Sequence, residues 1–118
     1  MKYLCLVYLE ERALGALSRE ALEALTSEAL DYNEALRRSG HYIASNALQP
    51  VQTATTIRTR DGRISTTDGP FAETKEQLGG FMLIEARDLN DAIRVASHIP
   101  PGRLGCIEVR PVRELSRP

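Results

Sequence analysis

The chain has 118 residues with a formal net charge of -1, 42% hydrophobic and 26% charged, which fits one soluble domain, residues 1–118, with one core. The near-neutral balance, with basic residues scattered among acids, excludes an electrostatic case for nucleic acid or an anionic membrane. The opening "MKYLCLVYLEERALG" carries too short an apolar run for a signal-peptide core or a bilayer span, so the expected location is the cytoplasm.

Residues 2–9 read as a strand that is apolar on both faces, with Tyr3, Cys5 and Val7 on one side and Leu4, Leu6 and Tyr8 on the other. Ser18 is an N-cap for a helix that runs to Ser39. Leu22, Leu25, Ala29, Asn33 and Leu36 form its inner face, and Gly40 stands where a C-cap belongs. "HYIASNAL" (41–48) is a second strand, closed by Gln49-Pro50. The next segment is a hairpin over 52–67, whose Thr-rich arms flank the turn pair Asp61-Gly62 and alternate as an exposed arm would.

"FMLIEA" (81–86) is again apolar on both faces. Asp88 caps a helix near 89–99 whose inner face is Ala92, Val95, Ala96 and Ile99, with Asp91 at the third position favouring the N-terminus. Pro100-Pro101-Gly102 stops it, and "LGCIEVRPV" (104–112) is the last strand. Hairpin aside, the order is βαββαβ, which predicts an α+β fold of ferredoxin-like type: an antiparallel sheet with helices on one face. Two helices leave the other face of those apolar strands uncovered, so a homodimer packed face to face is expected. Cys5 and Cys106 both lie in apolar strand-like runs and read as buried free thiols.

One stretch asks for more than structure. "DGPFAETKEQLGGF" (68–81) closely resembles the signature of the DGPF proteins, a branch of the YCII-related family, and "TATTIRTRDGRISTTDGPF" and "GCIEVRPV" match it as well. The resemblance covers nearly the whole chain. It implies a ferredoxin-like fold assembled as a dimeric α/β barrel. The wider family is proposed to be enzymatic through a His–Asp pair in a pocket; here the first helix has no histidine, and Asp68 is the part of that pair that carries over. Genes for DGPF proteins often lie near those for sigma factors, which implies a regulatory setting.

Candidate residues gather around that signature. Asp68 is either a general acid/base at a pocket or the acceptor of its own Asx-turn. Gly69 and Pro70 set the turn, and Phe71 reads as a core plug beneath it. Glu73, Lys75 and Glu76 form either a solvated charged turn or a carboxylate–ammonium border in which Lys75 binds an anionic group. Gly79-Gly80 suggest a bulge at the strand entrance. Tyr32 and Asn33 are polar groups near the inward side of the first helix, and Tyr32 is a further candidate to line the pocket. His41, just past the helix, is a candidate ligand contact or a cation at the helix's negative end; His98 takes the second role. No HxxH, CxxC, HExxH, Gly-x-Ser-x-Gly or P-loop spacing occurs, so no metal or cofactor is expected. Two functions stand side by side: a small cofactorless enzyme acting on a small metabolite, and a non-catalytic ligand sensor or protein-interaction module linked to sigma-factor control.

Overall fold

The computed structural model describes residues 1–118. Strand β1 (Lys2–Leu9) runs through the middle of a four-stranded antiparallel sheet in the order β2-β5-β1-β6, where β2 is Tyr42–Ala47, β5 is Gln77–Glu85 and β6 is Gly105–Pro111. The first and last strands are neighbours, with Cys5 opposite Val109 and Tyr8 opposite Cys106. Alternation along β1 is strict. Tyr3, Cys5, Val7 and Leu9 are buried, while Leu4, Leu6 and Tyr8 on the other side are only half-buried.

Three helices accompany the sheet: a short α1 (Glu11–Gly15), the long α2 (Arg19–Ser39) and α3 (Leu89–Ala96). The sequence reading did not include α1. The N-cap works as read for α2, where Ser18 Oγ accepts the Ala21 N–H at 3.0 Å, and Gly40 closes the other end at φ 82°. Asp88 caps α3 by accepting the Asp91 N–H at 2.8 Å. Leu36 from α2 and Ala92, Val95, Ala96 and Ile99 from α3 onward join the buried residues of β1 and β5 in one core cluster, so both helices cover the same sheet face.

The hairpin forms a separate two-stranded sheet, β3 (Thr55–Arg60) and β4 (Arg63–Asp68), turned at Asp61 (φ 51°) and Gly62 (φ 76°). It projects as an arm: its Ile57 and Ile64 are 66% and 72% exposed. The molecule measures 49 × 47 × 18 Å with a radius of gyration of 16.3 Å, against about 13.5 Å for a compact chain of this length. No helix is long and apolar enough to cross a membrane.

Three expectations are corrected. Phe71 is no core plug; it is 79% exposed, because the 69–76 loop stands at the rim of the sheet rather than over the core. Cys106 is exposed, not buried, since strand alternation puts it with Tyr8 on the face that no helix covers. Gly79-Gly80 lie inside β5 rather than before it. A Cβ at Gly79 would sit 2.6 Å from Leu9 Cδ1, and one at Gly80 3.0 Å from the Asn46 carbonyl oxygen. The pairing with β1 shifts register at this point, so the pair serves as the expected bulge and lets neighbouring strands approach closely.

Candidate functional site

β4 delivers Asp68 to the rim of a cleft of about 670 Å³. Its walls come from four places: Glu10, Glu11 and Arg12 after β1; Val51 and Gln52; Asp68, Gly69 and Pro70 at the root of the arm; and Glu73, Thr74, Lys75 and Gln77 leading into β5. Local bonds make these walls stiff. The Gly69 N–H donates to the Ala54 carbonyl at 2.7 Å, and the Thr56 hydroxyl donates to the Gly69 carbonyl at 2.8 Å. Gly69 stands at φ 101°, a conformation that a Cβ would strain. Gln77 Nε2 donates to the carbonyls of Ala72 and Thr74 at 3.3 and 3.1 Å, tying the 72–77 loop to itself. Glu11 Oε2 accepts the Val51 N–H at 3.0 Å and joins two of the walls.

The root of the arm is thus closed by Gly69, Ala54 and Thr56, and the Asp68 carboxylate takes no part in it. Asp68, Glu73 and Lys75, though brought to one cleft, enter no ion pair with each other or with Arg12. Uncommitted charges of both signs therefore face one hollow. Glu76 stands outside it: its Oε1 lies 3.8 Å from Cys106 Sγ, beside the uncovered sheet face.

Tyr32 and His41, the other sequence candidates, are not brought to this cleft. Tyr32 faces α3, where its hydroxyl donates to the Val95 carbonyl at 2.6 Å; burial raises its phenol pKa. Asn33 Nδ2 reaches Ser45 Oγ at 3.4 Å, and that hydroxyl lies 2.9 Å from Tyr42 OH. α2 thus spends its polar inner residues on anchoring itself.

His41 belongs to a second cluster, at the junction of the α2 C-terminus and the α3 N-terminus. Its Nε2 lies 3.1 Å from Asp91 Oδ2 and its Nδ1 lies 2.7 Å from Ser39 Oγ. The Asp91 side chain is only 2% exposed. The same carboxylate accepts the Arg87 backbone N–H at 3.1 Å and an Arg94 guanidinium N–H at 2.7 Å. Those two donors first, then His41, hold its pKa well below the ordinary carboxylate range despite burial. With Nε2–H given to Asp91, Nδ1 carries the lone pair and takes the Ser39 proton; a charged imidazole would instead donate from Nδ1, and Ser39 would turn its proton to the Leu36 carbonyl 3.1 Å away. This Ser–His–Asp chain can relay a proton. Ser39, however, stands at the carbonyl end of α2, and acyl transfer needs N–H donors converging beside the nucleophile instead. Sequence reading saw His41 and Asp91 separately; only the fold closes the fifty residues between them.

The two cysteines differ in environment. Burial pushes the Cys5 thiol up to about 11. Cys106 is raised by loss of solvent at the sulfur and then by the Glu76 carboxylate. No cluster of three or more His, Cys, Asp or Glu side chains that could hold a metal ion is present.

Comparison with known proteins finds similarity over almost the full length. The YCII-related domain matches residues 1–116. The chain is 34% identical over 114 residues to an uncharacterised protein of Rhizobium meliloti, covering 95% of this chain and 92% of that one. A strand-first chain whose Asp-Gly-Pro-Phe turn opens a charged cleft, matched across all but its last two residues, belongs to the YCII-related family.

Proposed function

We propose that the chain is one subunit of a homodimer of ferredoxin-like domains that binds a small charged metabolite in the Asp68 cleft. One observation carries this reading: Asp68, Glu73 and Lys75 reach a single stiff-walled cleft and leave their charges unpaired there. Lys75 and Arg12 suit a carboxylate or phosphate group of the metabolite; Asp68 and Glu73 suit an ammonium group on it. An amine-bearing organic acid fits both.

The strand order β2-β5-β1-β6 supports the ferredoxin-like part of the reading. Dimerisation is supported by the uncovered sheet face, where Leu4, Leu6, Tyr8, Phe81 and Leu83 lie together half-exposed, with Leu78 beside them.

Ligand sensing is favoured over turnover because no side chain orients Asp68. Its carboxylate enters no side-chain hydrogen bond or ion pair, whereas an acid–base catalyst is generally positioned by a partner group. The experiment is mass spectrometry of small molecules released from protein purified from its host, followed by incubation of the identified compound with fresh protein. Recovery of an intact amine-bearing acid supports sensing. Its conversion by wild type but not by Asp68→Asn would make Asp68 a catalytic residue. A compound that binds equally well without the Asp68, Glu73 and Lys75 charges would refute the cleft.

A further inference from the structure

The arm is amphipathic, and nothing in the chain packs on it. Its register sets Thr55 opposite Asp68, Ile57 opposite Thr66 and Thr59 opposite Ile64, so these six side chains share one face. The other face holds Arg58, Arg60 and Arg63, with Arg60 and Arg63 directly opposite one another at the tip. None of the three arginines enters an ion pair. Like charges facing each other across a ladder repel and need water; two exposed isoleucines do not. Neither arm strand packs extensively against any other element, and an isolated two-stranded hairpin is marginal in water.

We infer that the arm seats its Ile57 and Ile64 face on a second copy of this chain, and that this second copy also closes the Asp68 cleft. The inference rests on the dimer and cleft proposed above. Polarity decides which face docks: isoleucines inward, arginines to solvent. Area argues for the arm's participation. The open sheet face, four strands of six to nine residues, covers on the order of 500 Å² in plan. A standard interface takes about 800 Å² of accessible surface from each partner, and a docked arm enlarges the area the two copies share.

Preorganisation argues the same way. The arm's root is pinned by Gly69–Ala54 and Thr56–Gly69 bonds at 2.7 and 2.8 Å, so little freedom is lost on docking. A two-fold pair in which each arm lies on the other subunit satisfies both copies at once. Asp68 is the last residue of the docking face, in register with Thr66 and Ile64. Whatever covers the isoleucines therefore borders the cleft that Asp68 rims.

The test compares the full-length wild type with an Ile57→Lys/Ile64→Lys double variant by light scattering and sedimentation across a dilution series. The core lies elsewhere, so the variant keeps its fold by circular dichroism. The expected result is a wild-type dimer and a variant dimer weakened by at least about 1,000-fold, since the two arms together lose four buried isoleucines. A wild-type dimer with an equally tight variant would overturn the arm's role and leave the dimer standing. A wild-type monomer at micromolar concentration would overturn both. Nucleic acid that co-purifies with wild type, and is lost on Arg58→Ser/Arg60→Ser/Arg63→Ser but kept in the isoleucine variant, would give the arm a different partner. Independently of any variant, amide exchange over 55–68 in wild type slows as concentration rises through the dimerisation range; exchange that ignores concentration counts against arm docking.

Discussion

His41 Nε2 and Asp91 Oδ2, fifty residues apart in the chain, lie 3.1 Å from each other and join the end of the first long helix to the start of the last. Asp91 is the hub. Its buried carboxylate gathers the Arg87 N–H, the Arg94 guanidinium and His41, so removing it leaves three donors without their acceptor. Asp91→Ala is expected to lose more stability than Asp68→Asn or Tyr32→Phe, as measured by urea denaturation.

The same hub sets a pH dependence. Because the folded-state pKa of Asp91 is depressed, its contribution is complete above the unfolded carboxylate value of about 4 and is lost as pH falls below it. Wild-type urea midpoints should decline between about pH 4 and pH 2. Asp91→Asn should start lower and decline less over the same range; parallel profiles would contradict the assignment.

Tyr32 makes a second tie between the long helices, through its 2.6 Å bond to the Val95 carbonyl. Tyr32→Phe keeps the ring and removes the donor, leaving that carbonyl without it. The expected cost is about 1–2 kcal/mol, with no effect on any compound bound at the Asp68 cleft. Loss of such binding in a folded Tyr32→Phe protein would show that the pocket extends to α2 after all.

The thiols report on the open sheet face. Cys5 is fully buried with its pKa pushed up to about 11, so it should stay unmodified by iodoacetamide until the protein unfolds. Cys106 is exposed on the face proposed to pack against a second copy, but its pKa is raised. It should therefore label faster than Cys5 in dilute protein and more slowly again at dimer-forming concentrations. A Cys106 rate independent of concentration contradicts coverage of that face.

Periodicity was enough to read the strands of the sheet, α2, α3 and the arm, because alternation at period two and the 3.6-residue spacing are local signals. It misses α1, and of the inner face read for α2 only Leu36 is buried, Leu22 being 43% exposed. Ala92, Val95, Ala96 and Ile99 are buried as the spacing demands. Local signals misplace Phe71 and Cys106 for one shared reason. Each is apolar by type, and exposure depends on which face or rim of the sheet the chain happens to present. Neither does a sequence show that Tyr32 turns to Val95, or that His41 meets Asp91, since both contacts are made by tertiary packing alone. The Asp68–Glu73–Lys75 grouping was legible because its members lie within eight residues and flank one turn.

Asp68 should be thermodynamically silent in the unliganded protein. Gly69, Ala54 and Thr56 close the turn without its carboxylate, so Asp68→Asn is expected to change stability by no more than about 0.5 kcal/mol. A loss of about 1 kcal/mol or more would mean that the carboxylate ties its own turn.

The most direct measurement is a thermal-shift comparison of wild type, Asp68→Asn and Lys75→Met across amine-bearing organic acids, simple dicarboxylates and diamines. An amine-bearing acid should raise the wild-type Tm, both variants should fold with Tm close to wild type, and each should lose most of the shift. A panel in which no amine-bearing acid stabilises wild type, or in which one stabilises both variants as much as wild type, would contradict the cleft assignment.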